Sequence, residues 1–135
     1  MQTFLPYPDV CMSLKTLDYK RLGKQRLEAR QILKTLYIGS RWQNHPAVKM
    51  WKNYENYLSY YYNCCIDEWV FRGYKNTMIK VVLPTKINSP LWLGNEKFHS
   101  SHRANLLRKN LVYYSKFNWD EKPAQGYFWP TKEGY

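Results

Sequence analysis

Large apolar residues recur at helical spacing between Trp51 and Trp69, and this feature constrains the fold most. Intervals of three or four residues separate the members of the set, which is the spacing of one helix face. Pro46 suits the first turn of such a helix, because proline lacks the N–H that goes unpaired there. Gly73 suits the position just past its end. The pattern predicts one long helix from Pro46 to Arg72. Its buried face is formed by Trp51, Tyr54, Leu58, Tyr61, Cys65 and Trp69.

Three shorter helices are predicted from capping residues that precede apolar segments. An Asp or Ser side chain at a helix start accepts a hydrogen bond from a free backbone N–H of the first turn. Asp9 and Asp18 are placed to do this near the N-terminus, and Ser100 or Ser101 further along. The predicted spans are Asp9 to Leu17, Asp18 to about Leu36, and Ser100 or Ser101 to about Lys109.

The remaining segments carry no helical pattern. Residues 78–83 form a short apolar run that suits either a strand or an extended loop. Residues 116–135 are rich in Pro and Gly and are predicted to be irregular, pinned by Trp119, Tyr127, Phe128 and Trp129. We therefore expect an all-α, compact single domain over residues 1–135. It has three main helices, a shorter C-terminal helix and an irregular aromatic-rich tail, with 97–135 as a C-terminal extension.

The charge and ring content indicate a nucleic-acid partner. The chain has 21 Lys and Arg against 10 Asp and Glu, a net charge of +11, together with 13 Tyr, 6 Trp and 5 Phe. Phosphates attract Lys and Arg, and nucleobases stack on flat rings. The alternative is a protein that is merely basic. No run of about 18 apolar residues is present, so no membrane-spanning helix is expected.

The three cysteines indicate a reducing environment. Cys11 stands alone, Cys64 and Cys65 are adjacent, and no Cys-x-x-Cys pair occurs. An odd count of this kind is typical of free structural thiols in an intracellular, reducing compartment. The first residues lack the pattern of a signal peptide, so we expect none. No His or Cys spacing matches a metal motif, so no metal is expected. We also expect no cofactor, and we expect the protein to be a monomer.

The predicted helix from Asp18 carries a polar strip at the edge of its apolar face. Placed at about 100° per residue, Leu22, Ala29, Ile32, Leu33 and Leu36 cluster on one side, and Lys20, Lys24, Gln31 and Lys34 on the other. Arg21, Gln25 and Glu28 line the margin, and Leu27 falls off the apolar stripe. Two interpretations of this strip are open. In the first, the three side chains satisfy one another, either buried or at a solvated helix edge. In the second, the Glu28 carboxylate is held among cations and faces a substrate.

Two further segments can contact nucleic acid. Asn44 and His45 stand just before a helix start, where free N–H groups favour phosphate; the alternative is a capping turn. Residues 98–109 carry many hydrogen-bond donors suited to phosphate oxygens; the alternative is a solvated helix face. The candidates from this segment are His102, Arg103, Arg108 and Lys109.

Short motifs occur in a set order over roughly residues 1–51. They are Met1-Gln2-Thr3-Phe4, Pro8, Leu17-Asp18 followed by Lys20, then Glu28, then Asn44-His45-Pro46. In this order the chain resembles the pyrimidine-dimer DNA glycosylase/AP-lyase family, the phage endonuclease V type and its bacterial relatives. Residues 3–9, 20–26 and 44–48 are most similar to a branch grouped with that family.

The resemblance implies an all-helical single domain and a metal-independent mechanism. In the family the α-amino group of the first residue attacks C1′ of the damaged nucleotide, an imine forms, the base leaves, and β-elimination cuts the strand. An α-amino group has a reference pKa near 8, against about 10.4 for Lys, so it is more available as a nucleophile at neutral pH. The implied catalytic residues are Met1, Glu28 and His45. The implied partner is damaged double-stranded DNA.

The resemblance also implies a DNA-binding surface. The candidate residues for this surface come from the resemblance and from the chemistry of the residue types. They are Gln2, Arg21, Lys24, Gln25, Arg26, Arg30, Asn44, His102, Arg103, Arg108 and Lys109. The chain departs from the family at Gln2, where Arg is usual, and at Leu27, where the phage enzyme has Arg. The competing hypothesis is a non-catalytic, basic nucleic-acid-binding protein on the same fold.

Overall fold

Helices account for all regular secondary structure in residues 1–131, which are the residues that the computed structural model describes. The elements are α1 (Val10–Thr16), α2 (Tyr19–Ile38), α3 (Pro46–Lys49), α4 (Glu55–Phe71), α5 (Glu96–Lys109), α6 (Leu111–Tyr114) and a 3-10 turn at Ser115–Phe117. α4 packs against α2 on one side and α1 on another. The all-α prediction is confirmed. The predicted tail extends to Tyr135, and residues 132–135 lie outside the described part.

The single helix predicted from Pro46 to Arg72 is wrong as a continuous element. α3 and α4 are separated by residues 50–54, where Asn53 has φ 72°. A residue in this left-handed conformation cannot continue a right-handed helix, and Asn adopts it more readily than most side chains. Most of the predicted apolar face is buried despite the break. Trp51, Leu58, Tyr61, Cys65 and Trp69 are buried, whereas Tyr54 is half-buried.

The capping predictions are right for α1, right in position only for α2, and wrong for α5. Asp18 occupies the N-cap position of α2, but its carboxylate is paired with Arg21 and makes no capping hydrogen bond. The Asp9 carboxylate accepts a hydrogen bond from Met12 N at 2.9 Å. α5, by contrast, begins one turn before the predicted serines, because Asn95 caps it by accepting from Lys97 N at 3.0 Å. Neither α6 nor the 3-10 turn is foreseen by the pattern. Residues 78–83 form an extended loop, not a strand, and Asn63 of α4 holds it through both backbone groups of Val81 at 2.8 Å.

The chain's first residues run as an extended segment, residues 2–6, through the interior of the helical body. An extended segment without a neighbouring strand leaves its backbone groups unpaired unless side chains bond to them. Leu5 N donates to His102 Nδ1 at 2.9 Å, and His99 Nδ1 lies 2.7 Å from Leu5 O. Arg103 Nη1 donates to Pro6 O at 2.7 Å. Three α5 side chains therefore fix the segment in place.

Rings fill much of the space around this segment. Trp51, Trp92 and Phe98 pack edge to face or tilted at centroid distances near 5 Å, namely 5.0 and 4.9 Å. Trp119 and Tyr127 from the tail pack against this core, as the sequence predicts. Among residues 1–131, no helix combines the length and apolar content needed to cross a membrane.

Burial of His102 makes the folded state sensitive to acid. Burial, with the charges of His99 and Arg103, lowers the pKa of His102 to about 3, against about 6.5 in an unfolded chain. As pH falls below 6.5, His102 therefore binds a proton in the unfolded state but stays neutral in the folded state. We expect the unfolding free energy to fall by about 1.4 kcal/mol per pH unit from this group between pH 6 and pH 4. Urea titrations at several pH values measure it.

The variant His102→Asn isolates this contribution. Asn keeps an acceptor for Leu5 N but has no titratable ring, whereas His99, whose pKa burial also lowers, is retained. The pH slope of the variant should be shallower than that of the unchanged protein by about one proton. Equal slopes would show that His102 has the same pKa in the folded and unfolded states, which would contradict this prediction.

Candidate active site

The N-terminal segment meets α2 at a carboxylate. Gln2 N donates a hydrogen bond to Glu28 Oε2 at 3.1 Å. The Met1 amine is three covalent bonds from Gln2 N, so this bond anchors the backbone next to the amine, and Met1 and Glu28 line the same cleft. Gln25, one turn earlier in α2, adds a 3.4 Å bond from Nε2 to the same oxygen. The amine and carboxylate that the family resemblance singles out therefore occupy one site.

A cleft of about 440 Å³ opens at this point. Most of the predicted site residues border it, because α2, the end of α5 and the N-terminal segment converge there. Its walls are formed by Met1, Gln2, Phe4, Lys20, Arg21, Lys24, Gln25, Glu28, Arg108, Lys109 and Tyr127. Lys20 is absent from the predicted set although it lies four residues before Lys24, a helical spacing that can be found in the sequence. No pattern in the sequence indicates Tyr127, because this residue reaches the cleft only through the tertiary fold.

Cations dominate the electrostatics of the cleft. Five of the lining residues are Lys or Arg, and Glu28 is the one carboxylate among them. The pKa of Lys109 is lowered by burial and then by the charges of Arg108, Arg21 and Lys24, while Glu28 raises it. Arg21 is paired with Asp18 at 3.2 Å rather than with Glu28. Glu28 is thus held by backbone and amide N–H groups and left open to a ligand.

His45 is not one of the residues that line the cleft, but the charges of the N-terminal amine and Glu28 reach it. Burial lowers its pKa, the N-terminal amine lowers it further, and Glu28 raises it. Its Nδ1 accepts from Ala47 N at 3.0 Å, so it caps α3 and carries its proton on Nε2. His45 therefore forms the capping turn that was the alternative to phosphate binding, and it also lies near the site. Asn44 is exposed in the preceding loop.

Two predicted DNA contacts, His102 and Arg103, lie in the interior. Their exposed fractions are 0% and 8%. Arg103 donates to Glu121 Oε2 at 3.0 Å through Nε and is also paired with Glu96. The prediction that they contact DNA does not fit this placement. Polar residues on a short helix were assumed to face solvent, whereas here they satisfy the buried backbone of the N-terminal segment.

The side chains of Gln2 and Gln25 are likewise engaged inside. Gln2 is 5% and Gln25 1% exposed. Gln2 Oε1 accepts from Thr3 N at 2.9 Å, and Gln25 Oε1 accepts from Phe4 N at 2.7 Å. Both border the cleft, but their acceptor oxygens hold the chain. Their oxygens therefore position the N-terminal segment, and their contacts with DNA stay predictions.

Two predicted arginines of α2 lie outside the cleft. Arg26 stacks over the ring of Trp69 at 4.1 Å and donates to Asn76 Oδ1 at 2.8 Å, so it supports the packing of α2 on α4. Arg30 is exposed and borders a separate groove of about 420 Å³, together with Leu27, Lys34 and Trp42. Leu27 leaves the apolar stripe of α2 because it forms the wall of this groove.

No group of three His, Cys, Asp or Glu side chains that could hold a metal ion occurs among residues 1–131. The charged side chains that line the cleft are instead those of five cations and one carboxylate. Cations grouped around a cleft suit a phosphate-bearing ligand, because charge-assisted bonds to phosphate oxygens are strong.

An all-helical, basic domain with a cationic cleft at its N-terminus has the features of a nucleic-acid enzyme. The family model described as pyrimidine dimer DNA glycosylase matches residues 1–81, more than half of the chain, and the chain belongs to that family. No curated protein and no solved structure matches it. The matched range includes Met1, Glu28 and His45, whereas α5 with Arg108 and Lys109 lies beyond it.

The Tyr61 hydroxyl supports the floor of the site. It lies 2.7 Å from Gln25 Oε1 and 2.9 Å from Phe4 O, and the residue is fully buried. Tyr61→Phe removes this partner and should lower the unfolding free energy by about 1–3 kcal/mol, the cost of a lost buried hydrogen bond. Urea denaturation measures it. Tyr37→Phe, at a residue 66% exposed, is the matched control and should change little. Equal effects of the two changes would contradict this role.

Proposed function

We propose that this protein is a DNA-repair enzyme that excises a damaged base, a pyrimidine dimer or a related lesion, and then cuts the strand as an AP lyase. One observation carries the proposal. The hydrogen bond from Gln2 N to Glu28 Oε2 anchors the start of the chain in a cationic cleft that Met1 and one carboxylate, that of Glu28, both line. The family membership supports the glycosylase step, and the geometry supports the amine of Met1 as its nucleophile.

The chemistry that we propose needs only these groups. The lone pair of the Met1 amine attacks C1′ of the damaged nucleotide and forms an N–C1′ bond, and the amine gives up a proton. The N-glycosidic bond breaks, and the base leaves with the electron pair of that bond and takes up a proton. Opening of the sugar ring gives an imine between the protein and C1′. Loss of a proton from C2′ then expels the 3′ phosphate by β-elimination, and water releases the protein from the remaining sugar.

Glu28 is proposed to move the protons in these steps. Its carboxylate is close to the amine and accepts bonds from Gln2 N and Gln25 Nε2, so its position is fixed before DNA binds. A negative charge there also stabilises the positive charge that develops on the sugar during base loss. Four of the five cations of the cleft, Arg21, Lys24, Arg108 and Lys109, bind the phosphates on either side of the lesion.

His45 is proposed to act as a donor. Because Nδ1 accepts from Ala47 N, the proton of the neutral ring is on Nε2. The ring therefore offers an N–H to a phosphate or sugar oxygen, and it is a less suitable acceptor for the C2′ proton. Asn44 and Arg30 extend the proposed contact with damaged double-stranded DNA past the cleft, along the groove that contains Leu27 and Trp42.

We further propose that the protein acts as a monomer in a reducing, intracellular compartment and without a metal or cofactor. The three free cysteines support the compartment. The amine and carboxylate in the cleft support chemistry that needs no further group.

Glu28→Gln separates the chemistry from binding. Gln keeps an acceptor for Gln2 N but cannot take up a proton, so the adduct that borohydride traps on thymine-dimer or abasic DNA should form at least about 100-fold more slowly. Binding should be retained or tighter, because one negative charge leaves a phosphate site. Glu55→Gln, on α4 outside the cleft, is the matched control and should react as the unchanged protein does. An unchanged rate for Glu28→Gln would exclude Glu28 as the proton carrier.

Extension of the N-terminus by one glycine tests the nucleophile. The added residue displaces the amine by ~3.5 Å from the Glu28 carboxylate, while the charge of the protein stays the same. We expect the trapped adduct to disappear and DNA binding to persist, as seen by gel shift. Peptide mapping of the adduct of the unchanged protein should locate it at Met1. If the extended protein cleaves equally well, the amine is not the nucleophile; if neither protein forms an adduct but both bind, the non-catalytic hypothesis is right.

A further inference from the structure

Two of the three thiols face each other across the contact between α1 and α4. Cys11 Sγ lies 4.0 Å from Cys64 Sγ, although the residues are 53 positions apart in the sequence. The Tyr60 hydroxyl lies 3.8 Å from Cys11 Sγ on the same side. Sequence spacing gives no sign of this pair, because Cys64 is adjacent to Cys65 and far from Cys11. The third thiol, Cys65, is fully buried.

The pair is accessible to a small oxidant. Cys11 is exposed, and both thiols border a cleft of about 270 Å³ that also includes Lys15 and Phe71. Cys64 is only 9% exposed, and burial together with Cys11 raises its pKa to about 12. Cys11 is therefore the thiol that meets an oxidant first, and Cys64 is the thiol that lies within reach of the product.

We propose that Cys11 and Cys64 form an oxidisable dithiol, which hydroperoxides convert into a reversible disulfide between α1 and α4. The Cys11 thiolate attacks the peroxide oxygen, which gives a sulfenic acid on Cys11 and expels hydroxide or alkoxide. The Cys64 sulfur then attacks the sulfenic sulfur, the S–S bond forms, and water leaves. A disulfide has an S–S bond of about 2.05 Å, so the two sulfurs, now 4.0 Å apart, must approach by about 2 Å. This proposal does not rest on the DNA chemistry.

The disulfide connects the N-terminal segment to α4 through α1. α1 holds the end of that segment, because Ser13 Oγ accepts from Tyr7 N at 3.0 Å and donates to Tyr7 O at 2.8 Å. A bond from α1 to α4 closes a loop of more than fifty residues, and long closed loops restrict the unfolded chain most. The oxidised protein should therefore resist unfolding while the cationic cleft, which contains neither thiol, stays open.

The test is treatment of the full-length protein with hydrogen peroxide, followed by intact-mass measurement, peptide mapping and limited proteolysis. We expect a loss of two hydrogen atoms, one remaining free thiol of three, a link between the peptides of Cys11 and Cys64, and complete reversal by dithiothreitol. Cleavage by protease under mild urea should be at least tenfold slower after oxidation. Cys65→Ser is the matched control and should give the same cross-link.

Other outcomes overturn the proposal. Cys11→Ser should abolish the mass change and the protection; because Cys11 is exposed, this variant is not expected to unfold. If Cys11→Ser still loses two hydrogen atoms, Cys64 and Cys65 form the bond instead. If Cys11 takes up two oxygen atoms, or if two chains become linked, no internal dithiol reacts. Each of these results is independent of whether the protein forms an adduct with DNA.

Discussion

The burial of an extended N-terminal segment among helices is the constraint on which the rest of this structure depends. Such a segment brings backbone N–H and C=O groups into the interior, and each one left unpaired costs about 1–3 kcal/mol. No strand lies beside it in residues 1–131, so helix side chains bond to it instead. Gln25 and Glu28 of α2 bond to residues 2–4, and His99, His102 and Arg103 of α5 to residues 5–6. The amine is positioned by the same bonds that keep the interior satisfied.

This arrangement explains why the candidate site includes more of the chain than the family match covers. Residues 1–81 supply the amine, the carboxylate and His45. α5, beyond that range, holds the segment from the far side and adds Arg108 and Lys109 to the cleft. The C-terminal part is therefore built into the site. Its tail also contributes, since Tyr127 borders the cleft and Glu121 fixes Arg103 at 3.0 Å.

The sequence predicts those features that repeat along one element. The face of α2, the Asp9 cap and the buried face of α4 all follow from local spacing, and the margin formed by Arg21, Gln25 and Glu28 does face a cleft. The sequence does not predict the turn at Asn53, because a left-handed residue changes no apolar spacing. It also places His102 and Arg103 on a solvated face, because their partners are backbone groups almost 100 positions away, at Leu5 and Pro6.

The position of Glu28 shows how one group can serve both structure and chemistry. A carboxylate among five cations weakens the attraction of the cleft for phosphate, so binding alone would favour its absence. As a purely structural acceptor for Gln2 N it is replaceable by an amide, which makes the same bond without a charge that opposes phosphate. What an amide cannot do is exchange a proton beside the N-terminal amine. The charge at this position is therefore consistent with the proposed proton transfer, and the bond to Gln2 N fixes the carboxylate in the cleft that Met1 also lines.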